Sequence, residues 1–514
     1  MAKFFVLSHY HNNHTSTTDT MITFLVCLAL LIAAYFTYGR YLDRVAGIRN
    51  TAEVPSKTHF DGVDYIPMPR WKTFLIQLLN IAGLGPIFGA LLGAVYGPVA
   101  FVWITLGGIF FGAMHDYLGG VISLRNGGLS LPEIIGKYLG TNTKAVMRWV
   151  SVLLMILVGA VFMSQPAELI AERLPSEALD AVAFVSPGGH SFSWLLLIIL
   201  ACILVYYVVA TLLPIDKIIG KIYPLFGMLL VFMALGILVA IFTTYGSDIP
   251  EFSGFRNMKS DAHNFPLVPM LFTTIACGAI SGFHATQSPL MARCMRNENE
   301  SRMVFYGAMI SESVIALIWA AIGMSFWGGV EGLNEAVATY GGKASVLVDK
   351  IATTTLGDFL AYFVIFGVVA CAITSGDTAF RSARLIVADM IGVEQKSLSK
   401  RMLICLPVFA LGLVIIFLLP FGTIWSYFAW MNQALSVFTL WTITVWLRER
   451  GKPIWIALIP ALVMTYVCSS YIFVSPLMCG MANRTLAYLL GGVLTLLISL
   501  FMMKKVVGYG KKSA

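Results

Sequence analysis

Charge is what this chain has least of. Asp, Glu, Lys and Arg make up 12% of its 514 residues, about half the ~25% of a soluble globular domain. That shortfall excludes a body wetted on all sides. In its place stand 58% hydrophobic residues and a mean hydropathy of +0.82. The eight cysteines (27, 202, 277, 294, 371, 405, 468 and 479) show no CxxC spacing and mostly lie inside apolar runs. They therefore read as small packing residues rather than a metal site or a disulfide framework. Neither HExxH nor GxSxG occurs, so no zinc protease or hydrolase nucleophile is in view, no enzymatic activity is expected and no cofactor is implied.

Long apolar runs fill the space that charge leaves. Ile22–Phe36, Trp194–Leu213 and Leu486–Met503 approach or reach the length needed to cross a bilayer core of roughly 30 Å. The reading is an all-α polytopic membrane protein of about 13 spans. They fall near 21–42, 71–96, 98–124, 144–173, 192–213, 217–245, 264–286, 301–327, 355–390, 399–419, 424–447, 453–475 and 484–504. Residues 1–20, with His9, His11 and His14 ahead of Met21, read as a flexible extension or as an early start codon. Ile22–Phe36 lacks a following small-residue cleavage site and is expected to be a retained helix rather than a signal peptide.

Loop charges orient these spans. With the N-terminus outside and the C-terminus inside, all but seven of the 34 Lys and Arg face inward. The exceptions are Lys3, Arg173, Arg256, Lys259, Lys343, Lys350 and Arg484. Outer loops carry acids instead, at Glu177, Asp180, Asp248, Glu251, Glu331 and Glu335. The net charge of +8 is thus a topology signal, and no nucleic-acid partner is expected. Leu129–Leu139 and Asn334–Thr353 are amphipathic and are expected to lie against the protein or at the interface.

Two spans carry helix breakers at mid-depth. Asn80-Ile81-Ala82-Gly83-Leu84-Gly85-Pro86 interrupts the second, and Gly278, Ser281, Gly282 and His284 cluster in the seventh. Proline removes a backbone donor and glycine lets the chain leave helical geometry. In lipid such a break persists only where protein or a wet cavity satisfies the freed groups. The breaks lie five spans apart, so 71–245 and 264–447 are expected to form two inverted repeats, each opening with its broken helix. Residues 21–70 form a first helix and loop, and 453–514 add peripheral helices and a basic tail. Paired interruptions point to a transporter's midplane site, where helix ends offer amides to an anion and carbonyls to a cation.

Ionisable residues in the spans are the other candidates. His115 and Asp116 lie in span 3, and Glu312 lies about 16 Å deep in span 8 at ~1.5 Å per residue. Asp377 sits late in span 9, with Arg381 and Arg384 one and two turns on. Carboxylates at such depth are costly and mark ion or substrate paths. The two arginines are expected to reach the inner headgroups or to pair with Asp377. Thr374, Ser375 and Thr378 supply oxygens suited to a hard cation.

At these residues the sequence resembles the carbon starvation protein A family. The matching stretches are Gly85-Pro86-Ile87, Gly112-Ala113-Met114-His115-Asp116, and Arg125 with Gly127-Gly128-Leu129-Ser130-Leu131 and Glu133. To these add the run 275–285, Tyr306-Gly307-Ala308-Met309 with Glu312, and Asp377-Thr378-Ala379 with Arg381 and Arg384. The resemblance implies a bacterial inner-membrane carrier for peptides or pyruvate, linked to starvation, with a leucine-transporter-like five-plus-five core. It further implies a cation site where Ala82–Gly85 carbonyls meet Thr374, Ser375 and Thr378. The expected substrate contacts are Gly83, Gly85, Pro86, Gly278, Ser281, Gly282 and His284. The expected coupling groups, for a proton or sodium, are Ala82, His115, Asp116, Glu312, Thr374, Ser375, Asp377 and Thr378. An amino-acid symporter is the alternative. A channel would need rings of like residues, and a sensor a signalling domain; the sequence has neither.

Overall fold

The computed structural model describes residues 21–50, 53–174, 179–187, 191–212, 219–393, 395 and 397–510. The extension 1–20 with its histidines and Lys3, and the acid Glu177 expected on the outer side, lie outside the described residues.

Helix makes up 79% of the structure. In chain order the helices begin with α1 (Ile22–Ala46), α2 (Arg70–Ala82) and α3 (Gly85–Tyr96). There follow α4 (Val99–Arg125), α5 (Leu131–Leu139), α6 (Thr141–Arg173), α7 (Trp194–Leu212) and α8 (Tyr223–Asp248). The second half holds α9 (Leu267–Thr274), α10 (Gly282–Ala292), α11 (Glu298–Phe326), α12 (Val330–Thr339) and α13 (Ala344–Ile391). The last four are α14 (Leu398–Leu418), α15 (Phe421–Glu449), α16 (Trp455–Val474) and α17 (Arg484–Gly510). The strands among the described residues are one antiparallel hairpin, β1 (Val182–Val185) and β2 (Ser191–Ser193).

Among the described residues ten helices are long and apolar enough to cross a membrane, or eleven if α2 and α3, bent 51° apart, count as one span. This is a multi-pass membrane protein. Two stretches expected as spans fall outside that set. Residues 264–286 divide into α9 and α10, each too short to cross alone. Residues 424–447 lie within the 29-residue α15, whose inner face carries Asn432, Gln433 and Ser436. The amphipathic stretch 129–139 forms α5, which buries Leu131, Ile134, Ile135 and Tyr138. The stretch 334–353 falls partly in α12 and partly in the start of α13, which turns at Gly357, a glycine at φ +75° that L side chains rarely tolerate.

Burial places the centre. In α4 and α11, 78% and 83% of the apolar window is buried, against 28% in α1 and 22% in α17. The first pair is therefore protein-facing and the second presents its side chains outward. α6 packs along α13, and Gly159 makes that approach close: a Cβ there would lie 2.4 Å from the Phe380 ring. Small residues at such crossings are the usual device where lipid supplies no hydrophobic drive between helices.

At one end the loop before α2 is tied in. The Ser56 hydroxyl donates to the Met295 carbonyl at 2.5 Å, the Met68 amide to the Cys294 carbonyl at 2.9 Å, and Tyr65 to the Gly127 carbonyl at 3.2 Å. Asp64 of this loop meets Arg381 and Arg384 of α13, each at 3.3 Å. This corrects the expected fate of the two arginines. They are 1% and 0% exposed and meet a loop carboxylate rather than headgroups, while Asp377 attracts them without a direct bond. A buried guanidinium needs a desolvated anion within reach, and Asp64 supplies it.

Candidate functional site

Both sequence breaks are real interruptions. α2 ends at Ala82, Gly83 adopts φ 14°, ψ −140°, and α3 restarts at Gly85-Pro86 with the proline in its first turn, where a missing N–H costs nothing. The second break is longer: residues 275–281 separate α9 from α10. Its freed groups find protein partners. The Trp103 indole donates to the Ile275 carbonyl at 3.0 Å, and the Gln433 amide donates to the Ile280 carbonyl at 3.0 Å. The Asn432 side-chain oxygen accepts from the Phe283 amide at 2.6 Å and from the Ser281 hydroxyl at 3.0 Å. Asn432 and Gln433 thus do for α10 what water and caps do in a soluble protein.

The two breaks touch. A Cβ added to Gly85 would lie 2.3 Å from Cys277 Cβ and 2.4 Å from its Sγ. Gly83 packs as closely on Phe162 and sits beside the Ser375 hydroxyl, Gly278 faces Ala316, and Gly282 lies against the Asn432 carbonyl. Pro86, Ala82 and Ser281 are wholly buried with them.

Beside this junction runs a chain of buried ionisable groups. His115 Nδ1 lies 2.8 Å from one oxygen of Asp116, and His284 Nδ1 lies 2.9 Å from the other. The far nitrogen of His284 stands 3.4 Å from Glu312. All four residues are 0% exposed. They come from α4, α10 and α11, so three helices converge on one line of protonatable atoms. His284, expected at the substrate, sits between the two carboxylates expected at the coupling cation.

The α13 groups divide. Ser375 reaches across to the Leu79 carbonyl at 2.8 Å, three residues before Ala82. Thr374 and Thr378 instead donate to carbonyls of their own helix, as membrane hydroxyls commonly do. Asp377 takes a separate partner, accepting from Tyr223 at 3.3 Å, and so stands apart from the His284 chain. Asp64, outside the spans, experiences burial that raises its pKa, but Arg384, Arg381 and Arg293 outweigh it and hold the carboxyl below its ordinary value.

Several contributors were not legible as site residues. Gln77 and Asn80 lie one turn apart on α2, fully buried, and none of their four carboxamide atoms has a hydrogen-bond partner among the described residues. Their signal was two amides in an otherwise apolar helix just ahead of a break. Asn432-Gln433 carried the same signal in α15. Cys277, expected as packing, lies in the seam itself.

A cavity of about 1000 Å³ borders the second break. Thr274, the last residue before that break, lines it with Leu92 and Gln165. Its wall carries Glu168, Glu172 and Lys343, with Lys259 also in the lining.

The model of the family described as "Carbon starvation protein CstA" matches residues 19–187, 181–344 and 332–470. The chain belongs to that family. An uncharacterized membrane protein of Haemophilus influenzae is 43% identical over 350 residues, covering 62% of this chain and 94% of that one. The peptide transporter CstA of Escherichia coli is 23% identical over 575 aligned positions, covering 89% of this chain and 81% of its own length. The pyruvate/proton symporter BtsT of the same species is 26% identical over 336 residues, covering 57% of this chain and 47% of its own. The family resemblance read from the sequence is therefore shown, and its named members are membrane transporters.

Proposed function

We propose that this CstA-family chain is a secondary active transporter of the bacterial inner membrane, importing short peptides or a small carboxylate under carbon starvation. The observation that carries the reading is the contact between the two broken helices, Gly85 against Cys277, beside the buried Asp116–His284–Glu312 chain. α3 and α10 both begin at that junction, and helix N-termini suit the carboxylate of either substrate. The coupling cation, a proton or sodium, is assigned to the carboxylates of Asp116, Glu312 and Asp377, with His115 and the oxygens of Ala82, Thr374, Ser375 and Thr378 in support. Two named relatives, a peptide transporter and a pyruvate/proton symporter, support transport and favour the proton.

The proposed frame is 13 spans with an outside N-terminus, arranged as inverted repeats 71–245 and 264–447. On that orientation the cavity opens outward and Asp64 closes the inner end. The cavity favours a peptide over pyruvate. Its volume of about 1000 Å³ stands at the upper end of the ~300–1,000 Å³ common for ligand pockets, and its carboxylates and lysines match a substrate carrying both charges. Uptake of labelled dipeptide, tripeptide and pyruvate into proteoliposomes, under separate proton and sodium gradients, tests this. Peptide accumulation is expected. Accumulation of pyruvate alone would overturn the peptide preference, and accumulation of none would overturn the transporter reading.

A further inference from the structure

Cys277 Sγ, His284 Nε2 and a carboxylate oxygen of Glu312 all lie within 4.8 Å of one another. The three residues are buried, at 2%, 0% and 0% exposure. Neither Glu312 oxygen, nor His284 Nε2, has a hydrogen-bond partner among the described residues. Cys277 Sγ makes only long contacts, to the Ser281 hydroxyl at 3.7 Å and from the Asn432 amide at 3.9 Å, so three donor atoms border one small volume.

The other nitrogen of His284 decides what Nε2 can do. Asp116, as a carboxylate, accepts from Nδ1 at 2.9 Å, so the hydrogen sits on Nδ1 and Nε2 presents its lone pair. Asp116 is held in turn by His115 at 2.8 Å. A carboxylate behind an imidazole whose far nitrogen faces two further ligands is the arrangement that orients histidine toward a metal.

We propose that Cys277, His284 and Glu312 form a binding site for a borderline-soft divalent transition-metal ion of the zinc class, with Asp116 as the group that positions His284. A thiolate, an imidazole and a carboxylate together select such an ion over magnesium, calcium or an alkali cation, which prefer all-oxygen shells. Three protein ligands with an open fourth position suit tetrahedral coordination. Bonds of ~2.0–2.3 Å place tetrahedral ligands roughly 3.3–3.8 Å apart, so the side chains need draw in by only about 1 Å. A dication would balance the two negative charges that Cys277 and Glu312 carry once binding has displaced their protons. The ion ties the second break, through Cys277 and His284, to α11.

Co²⁺ alone, added to purified full-length protein with its affinity tag removed, reads the site directly. One Co²⁺ per chain is expected, with a sulfur-to-cobalt charge-transfer band. Cys277→Ser should abolish the band, while Cys468→Ser, on α16 and away from the triad, should keep it. Glu312→Gln and His284→Gln should weaken binding by tenfold or more, and Asp116→Asn by about 10- to 100-fold, the range for a carboxylate that orients a metal-ligating histidine. No saturable binding by the wild type overturns the site, as does a band surviving in Cys277→Ser. Should Cys277→Ser fail to fold, unchanged affinity in both Glu312→Gln and His284→Gln also overturns it. On the proposed transport reading the ion and the coupling cation would compete for Glu312; the readout is binding without a gradient, so it stands or falls independently of what the chain transports.

Discussion

Adding one methyl group at the junction of the two breaks probes their contact. In Gly85→Ala the new Cβ would lie 2.3 Å from Cys277 Cβ and 2.4 Å from Sγ, with the Cys277 Cα next at 3.7 Å. Carbon atoms prefer about 3.5–4.0 Å, so two overlaps exceed 1 Å. Neither segment yields easily, because Gly83 is backed by Phe162 and Gly278 by Ala316. Overpacking of this kind costs about 1–3 kcal/mol, and the enclosure argues for the upper half of that range. Cys277→Gly costs about 0.5–1 kcal/mol in backbone freedom plus the lost packing of its side chain. In the double variant both overlapping atoms are gone and only the 3.7 Å contact remains. The pair should therefore be no less stable than Cys277→Gly alone, a coupling of about 2 kcal/mol. Cys277→Ala should rescue poorly, because the Cβ at 2.3 Å stays. Equilibrium unfolding in mixed micelles, run on all five proteins, measures this. Additivity within about 0.3–0.5 kcal/mol, or full rescue by alanine, would refute the contact.

Three further outcomes follow from the same geometry. Asp64→Asn should destabilise by about 3 kcal/mol, the lower end for breaking a buried pair, since it removes the direct partner of two buried guanidiniums and leaves them the more distant Asp377; the unfolding midpoint reads it. The Asp64 pKa is depressed in the fold, so its contribution is complete above the unfolded carboxylate value and fades as pH falls below 3.8. Wild type should lose stability on that acid limb and Asp64→Asn should lose less, which a pH series of midpoints checks. Ser375→Ala, which deletes the α13-to-α2 bond, should lower the uptake rate several-fold, and Thr378→Val should lower it less, its hydroxyl being tied to its own helix; initial rates in proteoliposomes distinguish them.

The breaks themselves were readable because glycine and proline act through local backbone rules that need no tertiary information. Gly83, Gly85 and Pro86 announced one and Gly278 and Gly282 the other. The buried carboxylates were readable for a similar reason: a charge inside an apolar run is improbable without a role. Pairing was not readable. Arg381 and Arg384 had Asp377 one and two turns away on the same helix, yet the direct partner is Asp64, more than 300 residues distant in sequence and brought in by a loop with no periodicity to betray its position. Thr374 and Thr378 offered oxygens of the right type, but a hydroxyl's direction is set by its own helix's carbonyls. Cys277 was hidden by chemistry: a single cysteine in an apolar run looks like a packing residue until Glu312, from another helix, is seen beside it and His284.

Gradient-driven uptake of labelled peptide, compared between wild type and Glu312→Gln in the same proteoliposomes, tests the central claim most directly. The account predicts accumulation above the no-gradient level in wild type, and its loss in Glu312→Gln while that variant remains folded. Undiminished accumulation in Glu312→Gln would contradict the assignment of the buried Asp116–His284–Glu312 chain to the coupling cation.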